Sequence, residues 1–242
     1  MRSKLIYAAA APAAMAAAAL VAACGGSSPS SSSSSTSSPA SSPSPTAVAA
    51  SQVLPKMEAA VKAAKSVHMS GKAPNGSQHV TFDVSFFGKS GVAGSVGENG
   101  ESFYILSESG RTFIKINAGF LKVAHAPASA CATVCGKYVE LPASEAKQIT
   151  GSFTLPALAS QVFSKLPSAG SAAVMFTPAT TGGQQVLQWT KGKTTVSVAA
   201  TGTPYPLVIS DNSGDSVNFT QWNAVTAPAL PPASKIINIS QL

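Results

Sequence analysis

Three cysteines, three histidines and nine carboxylates are the groups in this 242-residue chain with which chemistry could be done. Cys24 closes the tetrad Val21-Ala22-Ala23-Cys24, which looks like a bacterial lipobox. Small residues fit a signal peptidase, and the freed thiol accepts a diacylglyceryl group. Cys131 and Cys135 lie in Ala-Cys-Ala-Thr-Val-Cys-Gly. Redox catalysis prefers two residues between thiols, and a metal site needs further ligands, for which His125 is the nearby candidate. In an exported chain the pair reads as a disulfide that pins one local turn. His68, His79 and His125 share no i, i+4 spacing, the carboxylates form no recognisable acid/base pair, and there is no Gly-x-Ser-x-Gly elbow. No catalytic residue, metal or cofactor is expected; the chemistry is attachment and not turnover.

These groups sit in a chain of three parts. Arg2 and Lys4 precede an uncharged, Ala-rich run from Leu5 to Ala23, so residues 1–23 read as an export signal. Residues 24–46 are the lipidated cysteine and a tether: Ser27 to Pro45 holds 13 Ser and 4 Pro in 19 residues, a composition that buries too little apolar area to offset chain entropy. Such a tether spans about 25 Å as a coil and about 60 Å as polyproline. The expected location is the extracytoplasmic face of a cell membrane, held by acyl chains that each contribute about 0.8 kcal/mol per buried CH₂. Residues 47–242 are read as a single folded, monomeric domain. Charged residues make up 10% and hydrophobic ones 45%, and the excess of 16 basic over 9 acidic residues is too sparse for a nucleic-acid surface.

Apolar spacing of three and four from Ser51 to Ser66 (Val53, Leu54, Met57, Val61, Ala64) predicts an amphipathic helix, capped by Ser51 and tolerating Pro55 in its first turn. The period then changes to two. Val80, Phe82, Val84 and Phe86 alternate with polar residues, and about ten strands follow between 67 and 222, separated by Gly-containing turns. Two helices interrupt them, near Ala143 to Ile149 and from Phe153 to Leu166, the second capped by Thr154. The expected fold class is α+β: a single curved antiparallel sheet, a half-barrel, with helices covering its concave face. Its apolar side chains could fill a core or line a pocket. Phe82, Phe86, Phe103, Ile105, Phe113, Leu158, Val162, Phe176, Trp189 and Phe219 are the candidate lining residues.

The order of features adds to this. The lipobox and tether, Ala63-Ala64-Lys65-Ser66-Val67-His68-Met69, Phe113-Ile114-Lys115-Ile116, Gly151-Ser152-Phe153-Thr154-Leu155, Tyr205-Pro206-Leu207 and Val217-Asn218-Phe219-Thr220-Gln221-Trp222-Asn223 together resemble the LppX/LprG family of actinobacterial lipoproteins. That resemblance implies a LolA-like half-barrel whose apolar cavity holds the acyl chains of a lipid or glycolipid and carries it across the envelope, with an export partner possible. It brings no catalytic residue, and the Cys131 and Cys135 pair stands outside its pattern. From another class, a sensor lipoprotein with a filled core would use the same fold to contact a protein partner.

Overall fold

The computed structural model describes residues 46–75, 78–98, 101–123, 125–151, 154–164, 166 and 174–237; the expected export signal, Cys24 and nearly all of the expected tether lie outside them. Within the described residues one open, curled sheet organises the chain. Its first run is β2 (Ser66–Asn75), β3 (Gln78–Phe87), β4 (Gly91–Glu98), β5 (Glu101–Glu108), β6 (Arg111–Lys115) and β7 (Tyr138–Glu140). Its second is β8 (Met175–Thr181), β9 (Gln184–Lys191), β10 (Thr194–Ala199), β11 (Pro206–Asp211) and β12 (Ser216–Thr220). Each run is a meander of sequence neighbours, and the two join where β12 pairs with β2. Two-residue strands finish the edges: β1 (Val48–Ala49) on β8, and β13 (Ile236–Ile237) on β7.

The half-barrel expectation holds, with two corrections. There are 13 strands where about ten were expected, and β13 runs parallel to β7, so the sheet is mixed. Strands of two residues carry no readable period, which is why the end strands escape a reading of alternation.

The five α-helices of the described residues pack on one face of the sheet. α1 (Ala50–Ala63) buries Val53, Leu54, Met57 and Val61 against Phe176, Leu187, Trp189, Val196 and Val198. Its cap differs from expectation. The N-cap is Ala49 with no side-chain bond, Ser51 lies inside the helix, and Pro55 falls beyond the first turn. The helix is started by tertiary contact instead, through Ala50 N–H donating to Val174 O at 2.8 Å. α5 (Leu155–Ser164) is capped as expected, Ala157 N–H donating to Thr154 Oγ1 at 3.2 Å, and its Leu155 enters the central core. At the other flank α2 (Ala118–Val123), α3 (Cys131–Val134) and α4 (Ala143–Thr150) cover Ile114, Ile116 and Val139. α2 and α3 are too short for a periodic signal; α2 is set by Asn117, whose Oδ1 accepts the Phe120 N–H at 2.7 Å. Cys131 and Cys135 bracket α3 with their sulfurs at bonding distance.

The opposite face is polar over most strands but apolar at Phe87, Ala93, Leu106 and Phe113. That patch is covered by the carboxy-terminal segment, through Val225, Leu230 and Ile236. Two glycines shape the central strands. Gly71 and Gly94 have φ of 141° and 149°, and a Cβ on either would meet the backbone oxygen of Ser216 or Asp83 at 2.0 or 2.1 Å. Neighbouring strands therefore approach more closely than any side chain permits.

Candidate functional site

In-register pairing sorts the inner face into cross-strand rows. One row runs Phe219, Met69, Val84, Gly94, Ile105, Ile114, Val139 from β12 to β7. Its side chains are all buried. The row on its upper side, Val67, Phe86, Val92, Ser107 and Thr112, is buried as well. On its lower side a third row runs Val217, Gly71, Phe82, Val96, Phe103. It is different: every member is only half-buried.

The difference follows from where the helices lie. α1 covers β8 to β10 and α2 to α4 cover β6 and β7 and reach Phe103 of β5, while among the described residues the helical contribution to the core over the central strands is Leu155. The half-buried row lies between the two covered flanks. It carries no charge and no hydroxyl, and Gly71 withholds a side chain at its middle. A row of this kind can do one thing chemically, which is to remove further apolar surface from water, at about 25 cal/mol per Å².

The candidate lining residues divide accordingly. Phe82 and Phe103 stand on the half-buried row, and Phe86, Ile105 and Phe219 belong to the buried rows above it. Phe176 and Trp189 are buried beneath α1. The side chains of Leu158 and Val162 lie outside the described residues. Phe113 is corrected. It pairs with Leu106, faces the outer side, and is fully buried under the carboxy-terminal segment. β6 is apolar on both faces, Thr112, Phe113 and Ile114 all being buried, so composition alone cannot assign a face. Val96 and Val217 also belong to the row and do not stand out by size. Their alternation with Ser95 and Asn218 was the available signal.

Two surface grooves lie elsewhere. One of ≈ 420 Å³ borders Gln184, Val186, Val208, Asn218 and Thr220, with Phe219 at its margin. Another of ≈ 360 Å³ borders Tyr104, Lys115, Asn117 and the Cys131 and Cys135 pair. Beside the second groove, burial first and the neighbouring Tyr138 second push the Tyr104 phenol above its ordinary range.

Among the histidines, His68 on the outer face places Nδ1 at 3.0 Å from Ser85 Oγ and Nε2 at 3.8 Å from the exposed Asp83. The second distance is outside hydrogen-bond reach, so the carboxylate does not orient the imidazole as an activated nucleophile requires. His79 meets the buried Asp215, with Nδ1 at 2.7 Å from Oδ1. His125 is exposed in a left-handed turn at φ 56°.

Three of the segments that carried the sequence resemblance, those around Lys65 to Met69, Tyr205 to Leu207 and Val217 to Asn223, meet at the upper end of the β12 to β2 ladder. Trp222 stacks on Tyr205 with centroids 4.5 Å apart and donates Nε1–H to Pro206 O at 3.0 Å. Asn223 accepts the Lys65 N–H at 2.7 Å, and its Nδ2 donates to Tyr205 Oη at 2.7 Å.

No protein-family model matches the sequence, and no curated protein sequence does. Among solved structures the chain is similar to LprF from Mycobacterium bovis, with 14% identity, a TM-score of 0.41, and coverage of 74% of this chain and 96% of that one. It is similar to the Mycobacterium tuberculosis lipoprotein LppX, with 11% identity, a TM-score of 0.39, and coverage of 74% and 98%. The MucA/MucB complex of Pseudomonas aeruginosa gives 17% identity, a TM-score of 0.31, and coverage of 74% and 58%.

Proposed function

We propose that this chain is a membrane-anchored lipoprotein that holds the acyl chains of a lipid or glycolipid against the inner face of its sheet and carries the molecule across the cell envelope. The observation that supports this reading is the apolar row Val217, Gly71, Phe82, Val96 and Phe103, whose members stay only half-buried among the described residues. Acyl chains laid along it gain about 0.8 kcal/mol per buried CH₂. A bilayer offers nearly the same, so exchange between the two is close to neutral and reversible. Cys24 supplies the anchor and residues 24–46 the reach.

A filled core and a protein partner form the second reading, favoured by the near-complete burial of Phe86, Ile105, Phe176 and Phe219. Native mass spectrometry of the full-length protein purified from its host membrane separates the two. The carrier reading expects a population heavier by the mass of a lipid, lost in Phe82→Asp. A protein that arrives lipid-free in repeated preparations, apart from its own anchor, overturns it.

A further inference from the structure

The two runs of the sheet meet at one seam, the ladder from Ser216↔Lys72 to Thr220↔His68. The ends of the seam are tied by different chemistry. At the upper end the ties are neutral: Lys65 N–H to Asn223 Oδ1 at 2.7 Å, Asn223 N–H to Ser66 O at 2.8 Å, and Val225 N–H to Ser66 Oγ at 3.1 Å.

At the lower end the tie is ionic. The Asp215 side chain is 5% exposed, with Oδ1 at 2.7 Å from His79 Nδ1 on β3 and 3.9 Å from Lys72 Nζ on β2. Ser213 Oγ, which donates to Asp211 Oδ1, lies 3.5 Å from Asp215 Oδ2. Further charged groups of this corner among the described residues are Asp211 of β11, whose Oδ1 accepts the Asp215 N–H at 3.1 Å, Lys193, which acts on Asp211, and Glu98 of β4, opposite Val80. His79 Nδ1 and Asp215 Oδ1 are both buried and neither makes a directed hydrogen bond. Their close approach is therefore a charge contact, and a buried carboxylate without a compensating cation is costly.

We infer that Asp215, His79 and Lys72 form an ionic clasp on the lower end of the seam, which loosens when His79 loses its proton. An imidazole changes charge between about pH 5 and 8. With Asp215 ionised and His79 protonated, two cations compensate the carboxylate. With His79 neutral only the half-exposed Lys72 remains, and the carboxylate gains by parting the strand ends and reaching water. Val217, Gly71 and Phe82 lie on the same three strands next to the clasp, so its release widens the half-buried end of the inner face. The inference stands on the seam alone and needs no ligand.

Hydrogen exchange of the full-length protein in detergent micelles, corrected for intrinsic rates, tests it at about pH 5.5 and about pH 8. Backbone amides of Ser216–Thr220 and of the facing half of β2 are expected to open roughly tenfold more often at the higher pH. His79→Gln should abolish that dependence. His79→Lys, cationic at both pH values, should keep the seam closed at both. Asn223→Ala should speed exchange equally at both. Equal protection of the wild-type seam at the two pH values, or a dependence that survives in His79→Gln, overturns the clasp.

Discussion

At the scale of single residues, the polar groups of this protein tie turns and seams, and Asp211 shows how. Its Oδ1 accepts the Ser213 hydroxyl, the Ser213 N–H at 2.8 Å and the Asp215 N–H at 3.1 Å. The Ser213 hydroxyl bond is the main reason its carboxyl lies below the usual carboxylate range; burial opposes this, and the two backbone N–H groups and Lys193 add to it. The sign follows. Because the folded state holds the charged form, the stabilisation is fully present above the ordinary carboxylate range and is lost as pH falls through the folded value. Asp211→Ala is expected to cost about 1 kcal/mol at neutral pH, partly screened by solvent. The difference from wild type should vanish in acid, as urea titrations across pH would show. None of this was legible in the sequence beyond a turn at Ser213-Gly214. The His79 to Asp215 contact joins residues far apart in the chain, and no spacing rule reaches across a sheet.

At the scale of elements, curvature depends on close approach. Gly94 occupies the middle of β4, and any Cβ there meets the Asp83 carbonyl oxygen at 2.1 Å and the Val84 Cα at 2.5 Å. Backbone atoms cannot rotate away as a side chain would. Gly94→Ala is therefore expected to destabilise by about 2–3 kcal/mol, measured by chemical denaturation, from clash and strained φ together. A Gly inside an alternating pattern is readable as a bulge or a close approach, though not which strand comes near. Longer elements were legible for physical reasons. β3 exposes one face and buries the other, so its period of two survives, and α1 presents a single apolar stripe to the sheet. α2, α3 and the end strands were not, because Asn117, the Cys131 and Cys135 pair and edge pairing specify them, with no repeating pattern.

At the scale of the whole molecule, the sheet is a two-sided object whose faces are closed differently, by helices within and by the chain's own end without. That asymmetry makes Phe103 and Phe113 a decisive pair, because both were candidates for one cavity and the sheet puts them on opposite sides. Phe113 is fully buried between strands and carboxy-terminal segment, with the Arg111 guanidinium 4.8 Å above its ring. Its truncation to Ala should cost about 3–5 kcal/mol. Being on the outer face, it should leave the lipid retained per folded molecule unchanged. Phe103 is half-buried on the lower row, at the margin of the α2 to α4 cluster, so Phe103→Ala should cost only about 1–2 kcal/mol, since less of the ring is withdrawn from water. Yet it should lower retained lipid, because the surface it removes is the one still open to a guest. Urea denaturation and native mass spectrometry on the two full-length variants read the two quantities separately. If lipid retention falls with stability in both, the guest does not sit on the inner face. If it falls in Phe103→Ala alone, the open row is where the apolar surface of the guest is buried.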